Sequence, residues 1–349
     1  MIGITSRVAR GEGLASVARR SAERLDEAWR TRLQRARGAL VSMPRPPLVN
    51  VLTTAPSLRL GGVVVQLNAR LAEERKMREV ALFHPGVMEI GSHAWRAESL
   101  AAIGAHTLIV EGAFDDLPAL PDDASLLLAI HDFTLLSNVA LLNRARAAIF
   151  PSAFLRDAYR AVAPKLEAFV IEPGIASDAM RSDPVRGRIA FAGSVKPHKG
   201  GALLPAIIDA TPGAEWHVFG GGDVDLLRAL PRDAVHGYYR AGSLPRLLAR
   251  HRIGLVVLPS IVPESFSLTL SECWSAGVPV VAFDHGAIAD RIRAHGGGFL
   301  VSPEMGAEGI ASMVNEWLRG ASTDVPAHVP TARESAVAHV ALYRELGLL

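Results

Sequence analysis

The sequence predicts an α/β protein of two doubly wound domains facing across a cleft, preceded by a helical appendage. Three observations carry that expectation. From Leu48 onward, short apolar runs with strand character alternate with runs of helical period. The alternation breaks once, at Glu172-Pro173-Gly174, and then restarts as a second series. The chain's 349 residues also exceed one comfortable core and fit two.

In chain order, residues 1–47 form the appendage. Leu14, Ala18, Leu25, Trp29, Leu33, Ala36 and Leu40 recur at helical spacing, and Pro44, Pro46 and Pro47 end the segment. Between Arg7 and Arg37 stand nine arginines against four acids. Such a basic amphipathic helix can lie on an anionic membrane through residues 10–41, dock on its own protein, or join an upstream domain. Residues 48–174 form the first domain. Strands are expected at Val49–Ala55, Val80–Phe83, Thr107–Glu111, Ser125–Ile130, Ala147–Pro151 and Ala168–Ile171, with helices at Gly62–Arg75 and Phe154–Ala163. Residues 175–328 form the second domain. Its strands are expected at Arg188–Ala192, Trp216–Phe219, Ile253–Pro259, Val278–Phe283 and Phe299–Val301. Residues 329–349 carry a last helix, about Ala332–Leu346.

Composition narrows the classes. The chain is 49% hydrophobic and 21% charged, which makes it globular rather than disordered. No apolar run reaches the ~18 residues of a membrane span, and no signal peptide opens the chain. A net charge of +2 gives no reason to expect nucleic acid. The single cysteine, Cys273, excludes an internal disulfide, suits a reducing cytoplasm, and reads as a small packing residue. Lysine occurs only at 76, 165, 196 and 199, so two of four ammonium groups fall in Lys196-Pro197-His198-Lys199.

The most informative stretch runs from Gly254 to Asp284. An apolar strand ends in a loop carrying Glu264, a helix containing Glu272 follows, and Gly277 hands over to a second apolar strand. In open α/β sheets ligands bind outside the carboxyl ends of the strands, and helix starts attract phosphate there. Two carboxylates beside an anion site suit a ligand that carries hydroxyls as well as phosphates, such as a nucleotide-sugar. Eight helical residues would separate them by about 12 Å, an upper figure because Glu264 lies in the loop. A strand from Ile189 ends at Gly193, and Lys196 and Lys199 follow before a helix. That loop can meet a diphosphate with backbone N–H groups and an ammonium, though the GxxxxGK[ST] order of a P-loop is absent.

The stretch "PESFSLTLSECWSAGVPVVA" resembles the donor-binding signature of retaining glycosyltransferases of family 4 (glycosyl transferases group 1), which adopt the GT-B fold of two Rossmann-like domains. The resemblance implies that Glu264 bonds hydroxyls of the donor sugar and Glu272 the ribose hydroxyls, with Ser265, Phe266, Ser267 and Leu268 completing the loop at the helix entrance. Gly193, Lys196 and Lys199 would face the donor diphosphate. The family commonly has an arginine where this chain has Ser194, a departure that either Lys196 compensates or that weakens the phosphate site. Gly220 and Gly221 match a glycine-rich turn near the nucleotide, and Tyr239, in His236–Arg240, falls near the base. Gly61 and Gly62 resemble the glycine loop that passes over donor and acceptor. His131, just beyond a strand, matches a histidine that faces the transferring sugar. The final helix would pack back across the hinge.

The resemblance further implies metal-independent transfer with retention, by front-face substitution in which the leaving phosphate helps to deprotonate the acceptor hydroxyl. Neither glutamate would be a nucleophile, and the DxD-like Asp223-Val224-Asp225 would hold no metal. Catalytic roles are thus expected for His131, Glu264 and Lys199. No cofactor is expected beyond the nucleotide-sugar co-substrate; the acceptor would be a glycan or glycolipid of polysaccharide assembly, and the location the cytoplasm or the inner membrane face. Ser194 and a short first domain keep a catalytically silent GT-B scaffold or partner-binding protein as the alternative, and a sugar-nucleotide epimerase stands further off for want of an acid/base pair. A dinucleotide oxidoreductase would need a GxGxxG that Val49–Gly62 does not offer.

Overall fold

The computed structural model describes residues 46–52, 62–84, 86–91, 93–97, 99–104, 106–111, 117–175 and 180–349. Two sheets organise them. The first contains β1 (Leu48–Leu52), β2 (Ala81–His84), β3 (Gly86–Ile90), β4 (His93–Ala97), β5 (Thr107–Glu111), β6 (Ser125–Ala129), β7 (Ala147–Phe150) and β8 (Glu167–Val170). Their order is β4-β3-β2-β1-β5-β6-β7-β8, parallel except for the antiparallel edge formed by β3 and β4. The second contains β9 (Val185–Ala192), β10 (Glu215–Phe219), β11 (Val235–Gly237), β12 (Ile253–Leu258), β13 (Val280–Phe283) and β14 (Gly298–Val301). Its order is β11-β10-β9-β12-β13-β14, and every pair is parallel.

The second order is that of a doubly wound Rossmann sheet, with three strands laid outward from β9 and three outward from β12. The connections therefore diverge above β9 and β12, which opens a crevice at their carboxyl ends. Sequence alternation sorts the two faces. Ala190, Ala192, Val256, Leu258, Val280 and Ala282 point to one face and pack against Leu244, Leu248, Leu270, Trp274, Ile288 and Ile292 of three helices. Ile189, Leu255, Val257 and Val281 point to the other, against Ile207, Ile310, Val314 and Trp317. Cys273 is fully buried among the first group as a packing residue, and burial pushes its thiol pKa well up.

The last helix, Ala332–Glu345, opens with a capping box: Thr331 accepts from the Glu334 N–H while Glu334 accepts from Thr331. It leaves the second domain and packs on the first, with Leu342, Tyr343 and Leu346 against Leu48, Ile109, Leu127 and Ile149. Under it lies a buried charged network. Arg70 pairs with Glu111 and Glu74 and donates to the Tyr343 hydroxyl at 3.2 Å, and Arg78 donates to Glu74 at 2.9 Å.

The hairpin β3–β4 and the strand β11 have no counterpart in the sequence expectations. β2 and β3 are separated by one residue, so their pattern reads as one run, and β11 is three residues long. Val278–Phe283 shortens to Val280–Phe283, because Val278 and Pro279 still belong to the turn after Gly277. Residues 1–45, and with them all but the last two residues of the appendage expected over 1–47, lie outside the described set, as does Gly61. Among the described residues no helix is long and apolar enough to cross a membrane.

Candidate functional site

At the carboxyl ends of β9, β10 and β12, three loops interlock, and glycines permit the closest contacts. Gly220 has φ +145°, and a Cβ there would lie 1.7 Å from the Gly193 carbonyl oxygen. Gly200 has φ +75°, and a Cβ there would lie 1.9 Å from the Pro259 oxygen. Only glycine fits either place. Backbone bonds complete the knot: Gly193 N–H to Phe219 O at 2.9 Å, Val195 N–H to Gly221 O at 2.9 Å, and Ile261 N–H to His198 O at 3.1 Å. Gly193 itself has φ +130° with open space beside it. The loop 193–200 is thereby fixed at the switch point between β9 and β12 with one unobstructed face.

Into that place come Lys199 and Glu264, whose Nζ and Oε1 stand 2.9 Å apart, both partly exposed. Lys196 and Ser194 are exposed on the same loop, and among the described residues Lys196 has no ion pair. The Glu264 loop is held from behind by the helix Gly286–His295. Ala287 N–H donates to Glu264 O at 2.9 Å, and Gly286, at φ +68°, lets the loop lie against that helix start. From the same helix the buried Arg291 donates to Phe266 O at 3.3 Å, Ser267 O at 3.1 Å and Ser271 Oγ at 2.9 Å. Its guanidinium lies 3.9 Å from the buried Phe266 ring and 5.0 Å from Trp274. Ser267 has φ +75°, which a non-glycine residue keeps only under such constraint, and its Oγ caps the helix Leu268–Ser275 by accepting from Leu270 N–H. Ser152, at the end of β7, donates to Ser265 O at 2.6 Å and ties the first domain to this loop.

Glu272 lies one turn inside that helix, which starts only at Leu268. The sequence figure of about 12 Å therefore contracts: four helical rises account for about 6 Å, and the remainder is loop. Glu272 is 9% exposed, and burial raises its pKa to about 7, with a hydrogen bond from the Gly242 backbone offsetting part of the rise. Tyr239 stands close enough for that carboxylate to raise its own pKa, after burial. Tyr238 is 74% exposed, and its ring covers Gly221, where a Cβ would meet it at 2.3 Å.

The site residues thus divide into groups. Lys199 with Glu264, the segment Ser265–Leu268, and Gly193 with Gly220 and Gly221 form one knotted unit, and Glu272 with Tyr239 lies beside it. Gly62 opens the helix Gly62–Glu74 of the first domain. His131 follows β6 in the same domain, with Nδ1 3.3 Å from Gln66 Nε2. Burial, with help from Arg70, lowers its pKa to about 4, and its buried Nε2 has no partner. It is a neutral imidazole at pH 7 and makes no hydrogen bond to the second domain among the described residues. Asp223 and Asp225 are satisfied elsewhere: Asp223 caps the helix Val224–Arg228, and Asp225 pairs with Arg228 at 3.0 Å.

Arg291 and Ser152 escape sequence reading, since one arginine among many and one serine before a helix carry no pattern. Gln66 has only its helical phase to mark it.

Residues 186–319 match the family model described as glycosyl transferases group 1. No curated protein matches the chain. Among solved structures, sucrose-phosphate synthase from Thermosynechococcus elongatus aligns with a TM-score of 0.62 at 17% identity, over 86% of this chain and 99% of that one. A glycosyltransferase of avilamycin A biosynthesis aligns with 0.60 at 18%, over 86% and 98%. HepE of Anabaena in complex with UDP aligns with 0.58 at 16%, over 86% and 98%. At these identities the likeness fixes the fold: two mostly parallel α/β sheets in the GT-B arrangement.

Proposed function

We propose that this protein is a glycosyltransferase that moves a sugar from a nucleotide-sugar to an acceptor hydroxyl with retention of anomeric configuration. The observation that carries the proposal is the Lys199–Glu264 pair, 2.9 Å apart at the switch point of the second sheet, with the buried Glu272 one helical turn further on. An ammonium, a sugar-binding carboxylate and a ribose-binding carboxylate are the groups that the diphosphate, the sugar and the ribose of a nucleotide-sugar require. The group 1 match over residues 186–319 covers all three. Structures of HepE carry UDP and UDP-glucose, which makes uridine diphosphate sugars the first donors to try on this chain.

In this reading the loop 193–200 and the first turn of the helix Leu268–Ser275 take the diphosphate. Lys199 exchanges Glu264 for a phosphate oxygen and neutralises the charge that grows on the leaving group. Glu264, released, accepts hydrogen bonds from the sugar. Glu272 takes both ribose hydroxyls. The neutral His131 offers its Nε2 to a sugar hydroxyl, and the leaving phosphate accepts the acceptor's proton as the new glycosidic bond forms on the same face. Backbone N–H groups and two lysines supply positive charge at the diphosphate, so no divalent cation is required there. A glycan or glycolipid acceptor enters from the first domain, and the work belongs to polysaccharide or glycolipid assembly in the cytoplasm, with residues 10–41 meeting an anionic membrane.

The test is proton NMR of the reaction mixture, using a donor that binds and a set of saccharide and lipid-linked saccharide acceptors. Nucleoside diphosphate release with an α-donor giving an α-product supports the proposal, and an inverted product overturns retention. Tight donor binding with no release favours a second reading, a silent scaffold, for which the exposed Ser194 in the usual arginine position is the specific observation.

A further inference from the structure

The most unusual cluster outside the donor crevice is a set of three histidines on the edge of the second sheet. His217 lies on β10, His236 on β11, and His251 ends the helix Leu244–Arg250. One nitrogen from each lies within 4.8 Å of the others. His217 Nδ1 and His236 Nε2 are 2.9 Å apart with ring planes inclined by 10°, and the His236 and His251 ring centres are 4.6 Å apart. His217 is buried, His251 half-buried and His236 exposed, so the cluster has a solid floor and an open side.

We propose that His217, His236 and His251 bind a divalent transition metal of the zinc class, which pins the short strand β11 to the sheet beneath the Gly220–Gly222 turn. Three imidazoles from three elements, converging with one side open to water, make a three-histidine site with an exchangeable fourth position. Metal–nitrogen distances of about 2.0–2.1 Å would put tetrahedral ligand nitrogens about 3.3 Å apart. The His217–His236 separation must open by a few tenths of an ångström, and the wider spread must close by side-chain rotation, which the exposed His236 permits.

The surrounding groups set the protonation. Glu215 Oε1 lies 3.2 Å from His217 Nε2 without hydrogen-bond alignment, and a small rotation of this exposed carboxylate would let it hold a proton on Nε2 and leave the Nδ1 lone pair directed at His236. That carboxylate–imidazole–metal relay is the usual outer support of a histidine ligand. Without metal, His236 donates Nε2–H to that lone pair; with metal, its proton moves to Nδ1 and both lone pairs meet the ion. The charges facing the cluster are Arg188, which donates to Glu215 at 2.9 Å and to the His251 carbonyl at 3.2 Å, and Arg250. Glu215 offsets the first. Burial lowers the pKa of all three rings, so the lone pairs are present at neutral pH.

The consequence reaches the donor crevice through one residue. Gly237 follows His236, and its carbonyl accepts from Gly220 N–H at 2.9 Å. Fixing β11 therefore fixes the support of the glycine turn and of Tyr238 and Tyr239. The site is distinct from the diphosphate groove and stands whether or not the donor reading does.

The experiment takes full-length protein, stripped with EDTA and dialysed, and titrates it with Co²⁺ while recording visible d–d absorption, then with Zn²⁺ while recording thermal stability. One equivalent of Co²⁺ with four- or five-coordinate intensity, displaced by Zn²⁺, is expected, together with a rise in melting temperature. His236→Gln and His251→Gln should each abolish the Co²⁺ band, and His328→Gln, at an exposed histidine paired with Glu334 elsewhere, should keep it. Glu215→Gln should weaken affinity by about 10–100-fold. No band in the native protein, or an unchanged band in His236→Gln and His251→Gln, overturns the proposal. The two variants alter the more exposed rings, so near-UV circular dichroism can confirm that they are folded.

Discussion

Replacing Glu272 by glutamine separates its role in the fold from its role in binding. Burial moves its pKa from an ordinary 4.5 to about 7. Such a rise corresponds to about 3 kcal/mol of destabilisation by the ionised form. The sign follows from proton binding. Below about pH 4.5 folded and unfolded chains both hold the proton, and the carboxyl contributes nothing either way. Between pH 4.5 and 7 the folded chain binds more protons than the unfolded, so stability falls as pH rises. Above about pH 7 the whole penalty is present. Glu272→Gln removes the titration, so the variant should match wild type near pH 4.5 and exceed it by up to about 3 kcal/mol at pH 8. Urea denaturation at both values measures the difference. The same substitution turns one of the two carboxylate acceptors into an NH2 donor and removes the charge, so at least one ribose hydroxyl loses a hydrogen bond to a charged group, which contributes about 1.5–3 kcal/mol. Nucleoside diphosphate affinity should therefore fall by at least about tenfold, while the 2′,3′-dideoxy analogue should bind wild type and variant alike. A stability difference equal at both pH values, or a dideoxy analogue that loses as much affinity as the ribonucleotide, would refute the reasoning.

Glu264→Ala should lower turnover sharply and leave nucleoside diphosphate binding intact or tighter, because it frees Lys199; steady-state rates and calorimetry read the two effects. Lys199→Ala should weaken the same ligand by about tenfold or more, and equal affinity in mutant and wild type would move the phosphate site elsewhere. Arg291→Met leaves the Phe266 and Ser267 carbonyls and the Glu172 carboxylate, 3.7 Å away, without their cation, and should destabilise by about 3–5 kcal/mol in denaturant. Deleting residues 1–44 should reduce sedimentation with anionic vesicles, an idea abandoned if the full-length protein never sediments with them.

The parts legible in the sequence are those whose signal is local. Thr107–Glu111 and the Gly62 helix start follow from periodicity, and the segment 254–284 reads as strand, loop, helix and strand because each piece carries its own pattern. Glu264 and Glu272 could be picked out because their spacing is written in one continuous stretch. What could not be read is made by long-range contact. Arg291 holds a loop some twenty-five residues earlier, Ser152 reaches it from the other domain, and His217, His236 and His251 meet only once β10, β11 and a helix end are brought together. The one-residue link between β2 and β3 and the three-residue β11 are too short for a period to declare itself. The depth of Glu272 in its helix depended on Ser267 adopting φ +75°, and nothing in a serine's identity announces that.

The chemistry proposed for this protein stands or falls with a nucleotide-sugar site at the carboxyl ends of β9 and β12. Its most direct test is thermal stabilisation by a panel of nucleoside diphosphates and nucleotide-sugars, each compared with and without EDTA against a ligand-free control of the same metal content. An upshift is expected with one nucleotide and its sugar conjugates, the same in size with or without EDTA and diminished in Lys199→Ala and Glu272→Gln. No upshift across the panel, or one that survives both substitutions unchanged, would contradict it.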